Sequence, residues 1–250
     1  MKALKNMKAL KNMKALKNMK ALKKIVLPLF FSLLAAAPVF SQNSDSEILP
    51  APEAKGISVR PYFNIGTNIT LNLASKEKSA PTPVNFTFGG GVVLDITDLI
   101  SVEPRLDFWM MYYLYDGIDA LPAEVEHRTA TTLCFMLDCP VGFNFRFGKH
   151  TITPGAGLGF LMRFGLLSTG VKDNDKGATG TAKGDIEKIN SWFWGNARFL
   201  YPEIFLSWDY KVNNNFRAGL TAKVYLPVGQ LISGNGVDGM IINVTSRFVF

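Results

Sequence analysis

The feature that most constrains this chain is a period of two. In residues 57–73, Ile57, Val59, Pro61, Phe63, Ile65, Ile69, Leu71 and Leu73 fall on one parity. Ser58, Arg60, Tyr62, Asn64, Gly66, Asn68, Thr70 and Asn72 fall on the other. Alternate side chains of a strand point to opposite faces, so this is a strand apolar on one side and polar on the other. Seventeen residues is long for a soluble strand of 5 or 6. The pattern recurs over 84–96, 100–113, 129–147, 151–167, 191–210, 215–229 and 240–250, which makes eight predicted strands. Most exceed the 9 to 11 residues that a tilted membrane strand needs. The weakest is 191–210, where Asn196 and Arg198 share the parity of Ile204, Leu206, Trp208 and Tyr210, and a bulge near Pro202 or a long extension past the membrane would reconcile it.

The connections alternate too. Segments 74–83, 114–128 and 168–190 are long, 97–99, 148–150 and 211–214 are short, and 230–239 is intermediate. Long loops at one end and tight turns at the other give an up-and-down antiparallel barrel with the turns facing the periplasm. The longest loop, rich in Gly, Lys and Asp, reads as mobile. The predicted class is therefore all-β: an eight-stranded transmembrane β-barrel over residues 56–250, with an outer face for lipid and a polar interior.

The polar parity collects Arg60, Asp95, Glu103, Arg105, Asp107, Asp138, Arg146, Arg163, Glu203, Asp209, Arg217, Lys223 and Arg247. Unpaired, each would cost several kcal/mol to bury, so a salt-bridged, hydrated lumen is expected. Phe143, Phe145, Trp208, Tyr210, Phe216, Phe248 and Phe250 gather at the turn ends, and Tyr112, Trp192 and Trp194 toward the loops, as interfacial girdles would.

Charge separates the leader from the rest. The whole chain has a formal charge of +7, yet nine lysines precede residue 42 with no acid among them. From Gln42 onward 18 basic residues meet 20 acidic ones, about −2, so the basic pI gives no reason to expect nucleic acid. The hexamer MKALKN occurs three times before a fourth copy opens at Met19, and Met19 is the expected true start. From there a lysine-bearing segment, an apolar run and small residues before Gln42 make a secretory signal peptide, too short and proline-broken to span. Residues 1–41 are thus a leader and 42–55 a flexible periplasmic lead-in.

These features resemble the small eight-stranded bacterial outer-membrane barrels of the outer membrane protein A/X type and the wider outer-membrane β-barrel domain. The signal peptide, the eight-fold alternation and the closing "SRFVF" carry the resemblance; "LDCPVGFNF" (137–145) and "PGAGLGF" (154–160) are similar to strands common there. The resemblance implies location in the outer membrane, lipid as the principal partner, and delivery by periplasmic chaperones to the barrel-assembly machinery, with Phe248 and Phe250 as the assembly signal. It implies a monomer, and no peptidoglycan-anchoring domain is expected.

Catalytic and metal sites are not expected, nor is a cofactor. Cys134 and Cys139 lie five apart in one strand, roughly 16 Å and on opposite faces, beyond disulfide reach. His127 and Thr129 are spaced like a lipid A deacylase H-x-S, but threonine replaces serine and Asp138 and Cys139 stand where a glutamate is needed. His150 reads as a solvated turn residue. "GNGVDG" (234–239) precedes a strand, not a helix, and so is a loop. Two function classes remain: a structural or surface-interaction barrel whose loops meet a host or matrix ligand, and a narrow passive channel. Eight strands leave an interior about filled by side chains. Gly66, Gly89, Gly91, Gly155, Gly157, Gly159 and Gly219 would leave space for a channel, and thirteen charged side chains would crowd it.

Overall fold

The computed structural model describes residues 57–72, 82–123 and 130–250. The leader, the lead-in, Glu124, Glu126, His127 and Thr129 lie outside them. Within them the strands are β1 (Ser58–Thr70), β2 (Val84–Asp95), β3 (Ile100–Val102), β4 (Arg105–Tyr115), β5 (Ala120–Ala123), β6 (Ala130–Asp138), β7 (Val141–Phe143), β8 (Phe145–Phe147), β9 (His150–Leu167), β10 (Leu200–Lys211), β11 (Arg217–Tyr225) and β12 (Ile241–Val249). Short breaks, at Pro104 and around Pro140 and Asn144, divide two long staves without shifting their register, so β3–β4 and β6–β7–β8 each count once.

Eight staves close into an antiparallel ring, because β1 pairs with both β2 and β12. Walking the register gives the geometry. Ser58 stands opposite Asp95, then Ser101, Gly142, Gly155, Phe205, Lys223 and Asn243, and the ring returns to β1 at Asn68. The stagger is ten residues for eight strands, which tilts the strands by about 40°. At that tilt roughly 10 residues cross a 25 Å apolar band.

The outside of the ring is apolar. Phe63, Phe86, Phe88, Leu106, Leu137, Leu158, Phe164, Ile204, Leu206 and Leu220 all stand exposed on it. A soluble monomer does not present so continuous an apolar surface. Lipid forbids unpaired backbone groups and so requires such a closed ring. The alternation is inverted relative to a soluble barrel, and this is a membrane-spanning one. A line of rings, Phe88, Phe108, Phe135 and Phe164, runs across four staves with centroids 5.0–6.1 Å apart. At the turn end Phe63, Phe216, Phe248 and Phe250 stack across β1, β11 and β12, with Phe63 and Phe248 4.8 Å apart.

The strand expected over 191–210 is corrected. Residues Ala182–Trp194 form a helix, α1, Gly195–Ala197 a 3-10 turn, and the strand begins only at Leu200. Ala182, Asp185, Ile189 and Phe193 are its buried residues, spaced three or four apart, a helical period. Thr181 caps it by accepting from the Gly184 N–H, and Gly195 ends it. Asn196 and Ala197, with φ of 51° and 54°, then turn the chain down into β10. The unlike parity of Asn196 and Arg198 marked this turn and not a bulge. The preceding Gly-, Lys- and Asp-rich stretch is tied to α1 by hydrogen bonds. Asp185, fully buried, accepts from the backbone N–H of Ala178 and Thr179 and from the Thr179 hydroxyl. A second short helix, α2 (Val228–Ile232), shortens the seventh stave, which ends at Tyr225.

Placing a charge in the turn-end aromatic cluster faces it toward lipid headgroups and unstacks four rings. Phe248→Asp is expected to lower the folded yield, read as loss of the heat-modifiable gel shift of membrane-extracted protein. An unchanged shift and yield would show the cluster to be dispensable.

Candidate functional site: the lumen and its loop-end closure

Because inward residues alternate with lipid-facing ones, each stave contributes one lumen side chain about every 7 Å, and the tilt stacks them in tiers. The lowest tier lies at the turn end. There Arg60 pairs with Asp95 at 2.7 Å, and Arg146 reaches Asp98 at 3.3 Å and Asp95 at 3.9 Å. Arg146 is exposed and Arg217 half-buried, so these members of the polar set line a mouth and not an interior. With Lys149, Lys211 and Thr151 they surround a cavity of about 250 Å³.

Above the mouth Arg247, 2% exposed, bonds Glu103 at 2.9 Å, reaches Asp209 at 3.2 Å and donates to Ser207 at 3.0 Å. Its guanidinium also lies 4.7 Å over the Tyr62 ring. The next tier is the densest. Lys223 pairs with Asp138 at 2.9 Å and Glu203 at 3.0 Å. Arg105 pairs with Asp107 and lies 3.6 Å from Asp138, while donating to the Tyr225 hydroxyl and the Asn243 side chain. Tyr225 donates to Asp138, and Asn64 to Asp107. Three cations and five carboxylates thus cross-link staves from β3 to β12.

Still higher the interior turns dry. Trp109, Met111, Met136, Leu161, Tyr201 and Ile241 fill the loop half and pack against Ile189 and Phe193 of α1. The helix therefore roofs the lumen. Asn190 fastens it to the end of β9: its side-chain oxygen accepts from the Gly165 N–H at 2.8 Å, and its amide donates to the Gly165 carbonyl at 3.1 Å. One side chain thereby takes the place of a neighbouring strand. Trp192 and Trp194, expected together on a strand, divide between two surfaces. Trp194 joins Phe160 and Phe199 in an outer aromatic cluster, and Trp192 turns inward and donates to Asp119.

Arg163 stands under this roof, 3% exposed. It donates to the Tyr113 hydroxyl at 3.3 Å and to the Arg198 carbonyl at 2.6 Å, and lies 4.4 Å over the Phe193 ring. Arg198, half-buried in the 195–199 connection, stacks 4.1 Å over Trp192. Burial pushes the Arg198 guanidinium below its ordinary value, against the pull of Asp119, and neighbouring Arg163 pushes the same way as burial. Nothing in the strand periodicity marks this site, since half of it comes from helix and turn.

At three glycines the space a side chain would take is already occupied by neighbouring groups. A Cβ on Gly155 would meet the Phe205 ring at 2.3 Å, and one on Gly142 would meet it at 3.0 Å. On Gly89 it would strike the Asp107 carboxylate. These glycines seat side chains of the neighbouring staves, Phe205 being paired with Gly155 and Asp107 with Gly89. Cys134 is buried and Cys139 exposed, and both are free thiols. His150 is exposed at its turn and accepts from the Trp208 indole at 3.2 Å.

Removing one partner of a buried pair leaves an uncompensated charge, at a loss of about 3–5 kcal/mol. Lys223→Met is expected to lower stability by that order in urea titrations of vesicle-folded protein. Adding Glu203→Leu should recover part of the loss. A double variant no more stable than the single would mean that Glu203 does not depend on Lys223.

No protein-family model matches the sequence, and no curated protein does. Among solved structures, Neisserial surface protein A aligns over 78% of this chain and 97% of its own, at 10% identity and a TM-score of 0.46. The attachment invasion locus protein Ail of Yersinia pestis aligns over 76% of this chain and 95% of its own, at 8% identity and a TM-score of 0.35. A de novo designed barrel, TMB2.3, aligns over 76% of this chain and 94% of its own, at 10% identity and a TM-score of 0.29.

Proposed function

We propose that this chain is a bacterial outer-membrane barrel with a closed lumen, which acts structurally or through contacts made at its loop end. The observation that carries the reading is the roof. α1 lays Ile189 and Phe193 over a dry layer, and beneath it lies a tier of cross-linked charges. Water and ions would have to cross both. The charged tiers then serve to hold staves together and not to conduct: buried pairs such as Asp138 and Lys223 or Glu103 and Arg247 join strands distant in sequence.

On this reading the partners are the lipids of the outer membrane, the periplasmic chaperones and assembly machinery that deliver the barrel, and a host or matrix ligand met by the ordered loops. Phe248 and Phe250 serve as the assembly signal, at the seam where β12 meets β1. The working form is a monomer, without catalytic machinery.

Planar-bilayer recording of residues 42–250, refolded with the heat-shift gel as control, is expected to show no steady current. Reproducible small openings that change with Glu103→Gln or Arg105→Gln would overturn the closed-lumen reading in favour of a narrow channel.

A further inference from the structure

The turn-end mouth gathers cations by register. Lys211 stands directly opposite Arg217, and the Lys149 carbonyl accepts from the Lys211 N–H at 2.8 Å. Arg146 stands opposite Thr151 across the same turn as Lys149. Directly opposed residues share a face, and like charges placed so repel. The acids of this end are engaged elsewhere: Asp95 is held by Arg60 at 2.7 Å, Asp98 by Arg146 at 3.3 Å and Asp209 by Arg247 at 3.2 Å. Lys149, Lys211 and Arg217 form no ion pair among the described residues. Asp209 and Asp95 act on Arg217 only from beyond ion-pair reach, and Arg60 and Arg146 oppose them.

The space between these cations suits an anion. Arg146, Gly148, Lys149, Thr151, Lys211 and Arg217 line a cavity of about 250 Å³, and no carboxylate stands on that lining. Such a volume takes a phosphate-sized group together with several waters, at about 30 Å³ per water. A Cβ on Gly148 would meet nothing within 4 Å, so the rim is open there. Arg217 is half-buried, while Lys149 and Lys211 are exposed. A guanidinium fork grips two oxygens of one phosphate, and ammonium groups serve as point charges for the others. The Thr151 hydroxyl adds a neutral donor. On the outer face of the same end Phe147 and Trp208 stand exposed, where interfacial aromatics meet lipid headgroups.

We propose that the turn-end mouth binds a phosphate group, gripped by Arg217 and Lys211 and flanked by Lys149 and Arg146. The group arrives either as free phosphate or on the headgroup of a membrane phospholipid, and the two sources are separable. The site goes beyond the closed-lumen reading: it lies below the Arg247 tier and needs nothing from the loop end. Phosphate fits better than a carboxylate because its additional oxygens reach the lysines once one fork has taken two.

Calorimetric titration of the full chain, folded in non-ionic detergent micelles at constant ionic strength, uses sodium phosphate and a short-chain phosphatidylglycerol. A short-chain diacylglycerol is the phosphate-free control. Saturable heat with sodium phosphate, at least as tight as with the lipid, identifies a free anion. Saturation by the lipid alone, or more tightly, identifies a headgroup. The diacylglycerol gives none. Arg217→Gln is expected to weaken binding at least tenfold while keeping the heat-modifiable gel shift, and Lys211→Gln at least threefold. Should Arg217→Gln lose the shift, Lys211→Gln decides, since that side chain is exposed at the turn. The nine leader lysines are common to parent and variants, so the difference between them reads the mouth. Lys183→Gln, at the loop end, leaves binding unchanged. Absence of saturable heat with either phosphate source, equal heat with the diacylglycerol, or a folded Lys211→Gln protein that binds like the parent overturns the proposal. Bilayer conductance is read separately: a closed barrel that binds neither source keeps the closed-lumen reading and loses this one.

Discussion

Every backbone N–H and C=O placed in hydrocarbon must find a partner within the protein, and the rest of this structure follows from that. A single sheet edge left open would expose a row of unsatisfied groups, each costing several kcal/mol. The chain meets the requirement by pairing β12 with β1 over nine residues. Closure of eight strands at a stagger of ten fixes the tilt and the radius together, and so fixes how much interior there is to fill. The polar character of the inside is a consequence: with the apolar residues drawn outward to lipid, the inward positions are left to the others.

Those inward positions are a liability unless organised. The tiers order them by depth. Where water reaches, at the turn-end mouth, the pairs are partly exposed, and pairs of that kind contribute little to stability. Deeper, Arg247, Arg105 and Lys223 each hold two carboxylates, because a buried charge is tolerable only when it is paired. The glycines belong to the same economy of space. Gly142 and Gly155 are bare so that Phe205 of the adjacent stave can lie across them.

Period-two alternation made most of the barrel legible: eight staves, their order, the outward apolar face and the side of each inward charge all follow from parity. What parity cannot carry is the third dimension of the interior. That Asp138 meets Lys223 as well as its register neighbour Arg105 depends on stagger, which a list of strands does not contain. The loop-end roof was hidden for a different reason. Residues 182–194 hold a 3.6-residue period, with Ile189 and Phe193 buried four apart, but Trp192, Phe193 and Trp194 run continuously into a real strand and mimic its end. Thr181 before the segment and Gly195 after it are cap residues, and they are the signal by which the helix could have been found. The arginine pair could not be read even then, because Arg163 comes from a strand and Arg198 from a turn.

The roof changes what the lumen charges can mean. In an open barrel, inward charges at mid-depth would face passing water and set its selectivity. Here Asn190 holds α1 to β9 by the two hydrogen bonds a neighbouring strand would have made, and Phe193 closes against Tyr113 at 4.8 Å. The lower charges are thereby cut off from the loop-end solvent and act on each other.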